Sequence, residues 1–290
     1  MPASPTLRRR ELGAQLRALR NKRGLTVDQV AAHLMCHPSR VSRLETGARG
    51  VTARDIRDLC DLYGVTDPAE RAALTRLAAE GKQQGWWQSY ELGPFATYAG
   101  LEESAVAFRQ YQSTTMPGLL QVPEYVRAMS AVLVPEVPDE RADVFVEVKM
   151  RRQGRLTAAH PPTLSVVLDE AVLRRAVGGP AIMADQLDHV LNVTKSPNIT
   201  VQVIPFCAGA HSAMDSTFSI MDFAESVPSV VYVEGLVGWI YIERPPDVAR
   251  YEQVFEKLKA RALDPTDSAE LIARTSAHFR GAATGEAEPR

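Results

Sequence analysis

Residues 26–47 carry the densest run of helix start and stop signals in the chain, and they constrain most tightly what it can build. Thr26 stands where an N-cap belongs, with Gln29 three residues on, the spacing of a capping box. Val27, Val30, Ala31 and Leu34 then recur at helical spacing. His37-Pro38 opens a second helix, since proline at the first helical position lacks only an N–H that would find no partner there. Val41 and Leu44 form the apolar side of that helix, and Gly47 stops it. Ala31 is small and Val41 is branched, so the two helices are expected to cross at close range. Ser39, Arg40, Ser42 and Arg43 are left on the outer face of the second.

The surrounding pattern extends this pair to five short helices over residues 7–80. Leu12, Leu16 and Leu19 give the first an apolar stripe that ends at Gly24. Thr52 starts the fourth, with Ile56, Leu59, Cys60 and Leu62 inward, and Asp67-Pro68-Ala69-Glu70 caps the fifth. Two short helices joined tightly, with small or branched inner residues and a polar outer face on the second, meet the requirements of a helix-turn-helix that enters a DNA major groove. Arginine donates two parallel hydrogen bonds to guanine, and serine bonds bases or phosphates. Ser39, Arg40, Ser42 and Arg43 are therefore the expected readers of double-stranded DNA. The helix starts at Thr26 and His37, with Gln29, present N–H groups where phosphates bind well. Arg49 and Arg54 are placed to neutralise further phosphates.

The run LTVDQVAAHLMCHPSRVSRLETGARG resembles the lambda-repressor-like, Xre-type helix-turn-helix, from Leu25 through Pro38-Ser39 to Gly47. Met35 departs from it, standing at the turn position that glycine usually fills. A left-handed backbone there costs a non-glycine residue roughly 1 kcal/mol. Glu45 is expected to pair with an arginine of helix two or of the rest of the domain and to read no base. His33 and His37 stand at a spacing that metal ligands use, but no third ligand lies nearby, so no metal and no cofactor are expected.

Charge divides along the same line. Residues 1–82 hold 15 Lys and Arg against 9 Asp and Glu, and the remainder holds 18 against 26, which reproduces the net charge of −2. A basic first piece on an acidic body suits a polyanion partner for that piece alone. With 45% hydrophobic and 23% charged residues over 290 positions, the chain is an ordinary globular one, long enough for two cores. Cys36, Cys60 and Cys207 form no paired framework. No apolar run reaches membrane-spanning length, and the arginine-rich start lacks the apolar stretch of a signal peptide. A cytoplasmic protein, nucleoid-associated when bound to DNA, is expected.

Beyond the helical head, residues 82–100 mix glycines with Trp86, Trp87, Tyr90, Phe95 and Tyr98, which reads as an aromatic connecting segment docked on the second domain. Residues 101–113, 123–133 and 139–156 read as helices, as do 170–177, 182–193, 247–262 and 267–280. Strands are expected at 163–168, 199–204, 216–223, 229–234 and 237–243. The expected organisation is an all-α five-helix domain over 7–81, the connecting segment, a mixed α/β (α+β) domain over 101–280 and a disordered tail over 281–290.

The segments MPGLLQVPEYVRAM, KMRRQGRL, LDEAVLRRAVGG, MADQLDHVL, ITVQVIPFCAGAH and VVYVEG together resemble the C-terminal domain of WhiJ-like actinobacterial regulators. That resemblance implies an Xre-type regulator with a small protein partner encoded nearby, in the manner of an antitoxin. The residues themselves offer two sites for an effector. Arg151, Arg152 and Arg155 either recognise an anion or pair with carboxylates such as Asp169 and Glu170. Cys207 and His211, in a loop after a strand, either line a ligand pocket or form a plain connection. Cys207, His211 and Asp215 are the types used in nucleophilic catalysis, but the loop lacks a glycine-shaped nucleophile turn. The order strand, loop, histidine, strand also resembles phospholipase-D-like domains. Their histidine is followed by a lysine that Ser212-Ala213-Met214 does not supply, so no enzyme is expected. Met116 to Leu120 is expected to form an apolar turn against Tyr111 and Tyr125. The reading is a homodimeric DNA-binding transcription regulator. Its activity would be set by a small-molecule effector or a small protein partner. The alternative is an antitoxin-type protein that binds DNA for autoregulation.

Overall fold

The computed structural model describes residues 3–90, 92–93, 95–133, 139–224, 227–235 and 238–284, with the side chains of 139–141 left out. It divides into two compact units, Met1–Ser104 and Ala105–Arg290.

The first unit is helical. Helices α1 (Pro5–Lys22), α2 (Val27–His33), α3 (Pro38–Glu45), α4 (Ala53–Tyr63) and α5 (Pro68–Glu80) surround one core of Leu12, Leu16, Val30, Ala31, Val41, Leu44, Ile56, Leu59 and Leu74. Each of these helices begins on a side-chain cap: Ser4, Thr26, His37, Thr52 and Asp67 accept from a backbone N–H of the first turn. A cap replaces a lost backbone partner and contributes about 1 kcal/mol. Gly13 permits a close crossing. A Cβ added there would stand 2.5 Å from the Glu45 carbonyl oxygen and 2.6 Å from that of Leu44, so α1 meets the end of α3 backbone to backbone.

The aromatic segment, expected to dock on the second domain, belongs to the first unit. It folds back on α1. A 3-10 turn (Trp86–Ser89) buries Trp87, and α6 (Phe95–Glu102) packs on α1. The Ser4 hydroxyl donates to the Gly100 carbonyl, and Ser104 Oγ accepts from Ser4 N–H at 2.6 Å. The boundary therefore falls after Ser104 and not near residue 82, because Ser4, Thr6 and Leu7 at the start of α1 need a cover.

The second unit is built on a six-stranded sheet: β1 (Ala107–Gln112), β2 (Thr163–Asp169), β3 (Ile199–Ile204), β4 (Phe218–Asp222), β5 (Val230–Gly235) and β6 (Gly238–Ile242). The order is β3-β2-β1-β4-β5-β6, with β1, β2 and β3 parallel and the other three antiparallel to their neighbours. The helix expected over 101–113 is corrected: its second half is β1, a central strand. Its residues alternate, with Tyr111 against Val167, Phe218 and Phe255 on one face, and partners on both sides override the helical preference of Ala, Arg and Gln.

Helices α7 (Pro123–Leu133), α8 (Asp139–Gln153), α9 (Glu170–Arg174), α10 (Pro180–Val193), α11 (Pro245–Arg261) and α12 (Pro265–Thr284) complete the unit. Helix α11 inserts Val248, Phe255 and Leu258 against Tyr111, Ile204, Ile220 and Val231. Helix α12 packs along α10, where the Ser276 hydroxyl donates to Asp188 at 2.5 Å. The turn at Met116 is as apolar as expected, yet polar side chains hold it: Tyr125 Oη accepts from Met116 N–H at 3.1 Å, and Gln186 Nε2 donates to the Leu120 carbonyl at 2.6 Å. Of the expected tail, 281–284 continue α12 and 285–290 lie outside the described residues.

Candidate nucleic-acid interface

The geometry of the α2–α3 pair starts from its caps. Gln29 N–H donates to Thr26 Oγ1 at 3.2 Å and Thr26 N–H donates to Gln29 Oε1 at 2.8 Å, so both side chains are spent on starting α2. The helix closes through Cys36 N–H to the Ala31 carbonyl at 2.9 Å, and Met35 takes the left-handed conformation with φ +49°. Its side chain is 86% exposed, so it gains no packing there. His37 Nδ1 accepts from Ser39 N–H at 3.2 Å and starts α3. Val41 and Leu44 then face Val30 and Ala31 in the core.

Two ion pairs fix the orientation of α3. Arg20, on α1, donates through Nε and Nη2 to the buried Glu45 carboxylate at 2.6 and 2.9 Å, and through Nη1 to the Leu25 carbonyl at 2.8 Å. The hydrogen bond to Glu45 pushes the Arg20 guanidinium above its ordinary range. One side chain thus joins α1, the loop before α2 and the end of α3. Arg40 forms the second pair, Nη2 to Asp55 Oδ1 at 2.7 Å, while Asp55 Oδ2 accepts from Thr52 N–H at 3.0 Å as part of the α4 cap. The structure places Arg40 between α3 and α4, tied to a buried carboxylate, and not among the fully exposed residues of the outer face.

Ser39, Ser42 and Arg43 remain exposed on α3. Arg43 Nε donates to the Ser39 carbonyl at 3.2 Å and its Nη2 approaches Ser39 Oγ at 3.3 Å. Arg49 and Arg54 are exposed as well, and Arg54 lies 3.5 Å from Asp58 within its own helix. Helical spacing does not reveal Arg20, Asp55 and Gly13 as determinants of this surface. The capping spacing of Thr52 and Asp55 is the one local signal.

The sites expected in the second unit are not assembled as anticipated. Arg152 is buried, Arg151 is exposed and Arg155 Nη2 donates to the Ala105 carbonyl at 3.1 Å, so the three do not share one surface. The carboxylates expected to face them have other partners. Glu170 holds Arg174 at 2.8 Å and accepts from Phe206 N–H. Asp169 caps α9 and lies 3.5 Å from His211 Nε2. His211 Nε2 is also 3.2 Å from the Tyr111 hydroxyl, and its Nδ1 accepts from Ala213 N–H at 3.3 Å. Both ring nitrogens are taken up inside the fold, while Cys207 and Asp215 are exposed. A cavity of about 460 Å³ opens beside them, lined by Ala210, His211, Ser212, Lys257, Ala260 and Arg261. Among the described residues no three His, Cys, Asp or Glu side chains converge as a metal site, and no helix is long and apolar enough to cross a membrane.

Two family models match the chain: a helix-turn-helix domain over residues 11–74, and a domain of unknown function, DUF5753, over residues 95–274. No curated protein and no solved structure matches it.

Proposed function

This chain belongs to the family defined by the DUF5753 domain, with a helix-turn-helix domain ahead of it, and on that premise we propose a sequence-specific DNA-binding transcription regulator that acts as a homodimer. One observation carries the reading, the different fates of three arginines around α3. Arg20 and Arg40 are held by Glu45 and Asp55 and set the helix in place, whereas Arg43 stands exposed on its outer face beside Ser39 and Ser42. In this reading α3 lies in the major groove and Arg43 offers its fork to a guanine edge. Arg49 and Arg54 neutralise phosphates. Two copies place two such helices about 34 Å apart, one turn of DNA.

Fluorescence anisotropy on DNA from the upstream region of the chain's own gene tests this. Arg43→Ala lowers affinity about 5- to 150-fold, the 1–3 kcal/mol of one bidentate base contact. Unchanged binding by the double variant Ser42→Ala, Arg43→Ala sinks the assignment of α3 as reader.

Control belongs, in the same reading, to the second unit. The cavity beside Lys257 and Arg261 falls within the size of small-ligand sites, roughly 300–1,000 Å³, and supports a small-molecule effector. The resemblance to WhiJ-like regulators supports a small protein partner instead. Co-purification with the product of the adjacent gene tests that arm. The reading assigns no catalysis to His211, whose nitrogens serve Asp169, Tyr111 and Ala213.

A further inference from the structure

The carboxyl ends of the three parallel strands converge on one loop. Strand β1 ends one residue after Tyr111, β2 ends at Asp169 and β3 at Ile204. The loop that leaves β3 carries His211 back to the other two, 3.2 Å from the Tyr111 hydroxyl and 3.5 Å from the Asp169 carboxylate. Glu170 fixes the start of the same loop by accepting from Phe206 N–H at 2.8 Å. Helix α11 closes the other side, where Arg261 donates to the Ala208 carbonyl. The cavity of about 460 Å³ lies between them: the loop contributes Ala210, His211 and Ser212, and the last turns of α11 contribute Lys257, Ala260 and Arg261. Open sheets with parallel strands take their ligands outside the carboxyl ends of those strands.

We propose that this cavity binds a small phosphate monoester. Its lining holds donors and no carboxylate. Lys257 and Arg261 stand four positions apart, and so on one face of α11. Lys259, between them in sequence, pairs with Glu256 at 3.5 Å, but among the described residues neither Lys257 nor Arg261 forms an ion pair. The N–H groups of Ala210, His211 and Ser212 and the Ser212 hydroxyl likewise meet no protein acceptor among the described residues. His211 Nδ1 accepts from Ala213 N–H at 3.3 Å, which leaves the ring proton on Nε2, beside Tyr111 and Asp169, and makes the imidazole a wall. Two cations match the nearly two negative charges of a phosphate monoester at neutral pH. Guanidinium, ammonium, hydroxyl and successive main-chain N–H donors suit a head with acceptor oxygens in several directions. Ala210 and Ala260 leave an uncharged wall for the rest of the molecule. The proposal rests on the reading of the cavity as an effector site and gives that effector its chemical class.

Thermal unfolding of the full chain tests it, with inorganic phosphate and glycerol phosphate as probes and ionic strength matched by sodium chloride. Both probes raise the melting temperature of the wild type. Lys257→Glu, an exposed substitution that leaves circular dichroism unchanged, raises the concentration needed for the same shift about tenfold or more, the loss of one charge-assisted bond. Lys257→Arg keeps the shift. A shift that Lys257→Glu and Arg261→Met both leave unchanged comes from another site and overturns this one. A wild type that neither probe stabilises, or that succinate stabilises equally, overturns the phosphate class. The effector reading is decided apart from this, by anisotropy on DNA with the ultrafiltered small-molecule fraction of a cell extract. A response that Ala260→Trp abolishes and Lys257→Glu keeps overturns the phosphate while the cavity stands as the effector site. No response in the wild type overturns the effector reading itself, and the melting data still decide phosphate binding.

Discussion

Arg40 and Arg43 lie three residues apart on one helix and do different work. Arg40→Ala leaves Asp55 with only its Thr52 contacts in a site where its side chain is 8% exposed. Losing one partner of a buried pair costs several kcal/mol. Water reaches 29% of the Arg40 side chain, so the expected loss is nearer ~1–2 kcal/mol, read as a lower melting temperature with weaker DNA binding. Arg43→Ala removes only an exposed fork, so its melting temperature stays within the equivalent of about 0.5 kcal/mol of wild type while binding falls. Helical spacing identifies which residues share a face, and on that basis Ser39, Ser42 and Arg43 were legible. It does not say what crosses the rim of that face. Asp55 comes fifteen positions after Arg40 and meets it only when α4 folds across. Glu45 was legible as a paired residue, but Arg20 as its partner was not.

Among the elements, α1 and α3 meet backbone to backbone, and Gly13 sets the contact. Gly13→Ala places a methyl group 2.5 Å from a carbonyl oxygen that belongs to backbone, so the helices must separate. The expected cost is about 1–3 kcal/mol, seen as a fall in the melting temperature of the first unit. Met35→Gly has the opposite sign. Relief of the left-handed φ at an exposed side chain outweighs the extra freedom of the unfolded glycine, for a gain of about 0.5–1 kcal/mol. Helices α2 to α5 were readable because each announces itself with a capping residue at its start. Strand β1 was not, because its pairing partners start at positions 163 and 218, and its Arg109 is placed by Asp222 and Glu252 from far along the chain.

For the whole molecule, composition located two units but misplaced their boundary. A fragment ending at Ser104 keeps Trp87 and α6 over the start of α1, and is expected to melt several degrees higher than one ending at Lys82. Equal melting temperatures would remove the structural role given to the aromatic segment. Both units share an alkaline limit. Burial raises the Tyr63 and Tyr111 hydroxyls above their usual range, so the folded state favours the neutral phenol. Unfolded tyrosine ionises near pH ~10, so this contribution is complete below that pH and is lost as pH rises above it. Urea midpoints should hold from neutral pH to about 10 and then fall. The β3 edge of the sheet has a consequence in the terms of polymer chemistry. Leu263 N–H donates to the Val203 carbonyl and Ser268 Oγ accepts from Val203 N–H, so the end of this strand is capped by its own chain and terminated against the addition of a further strand.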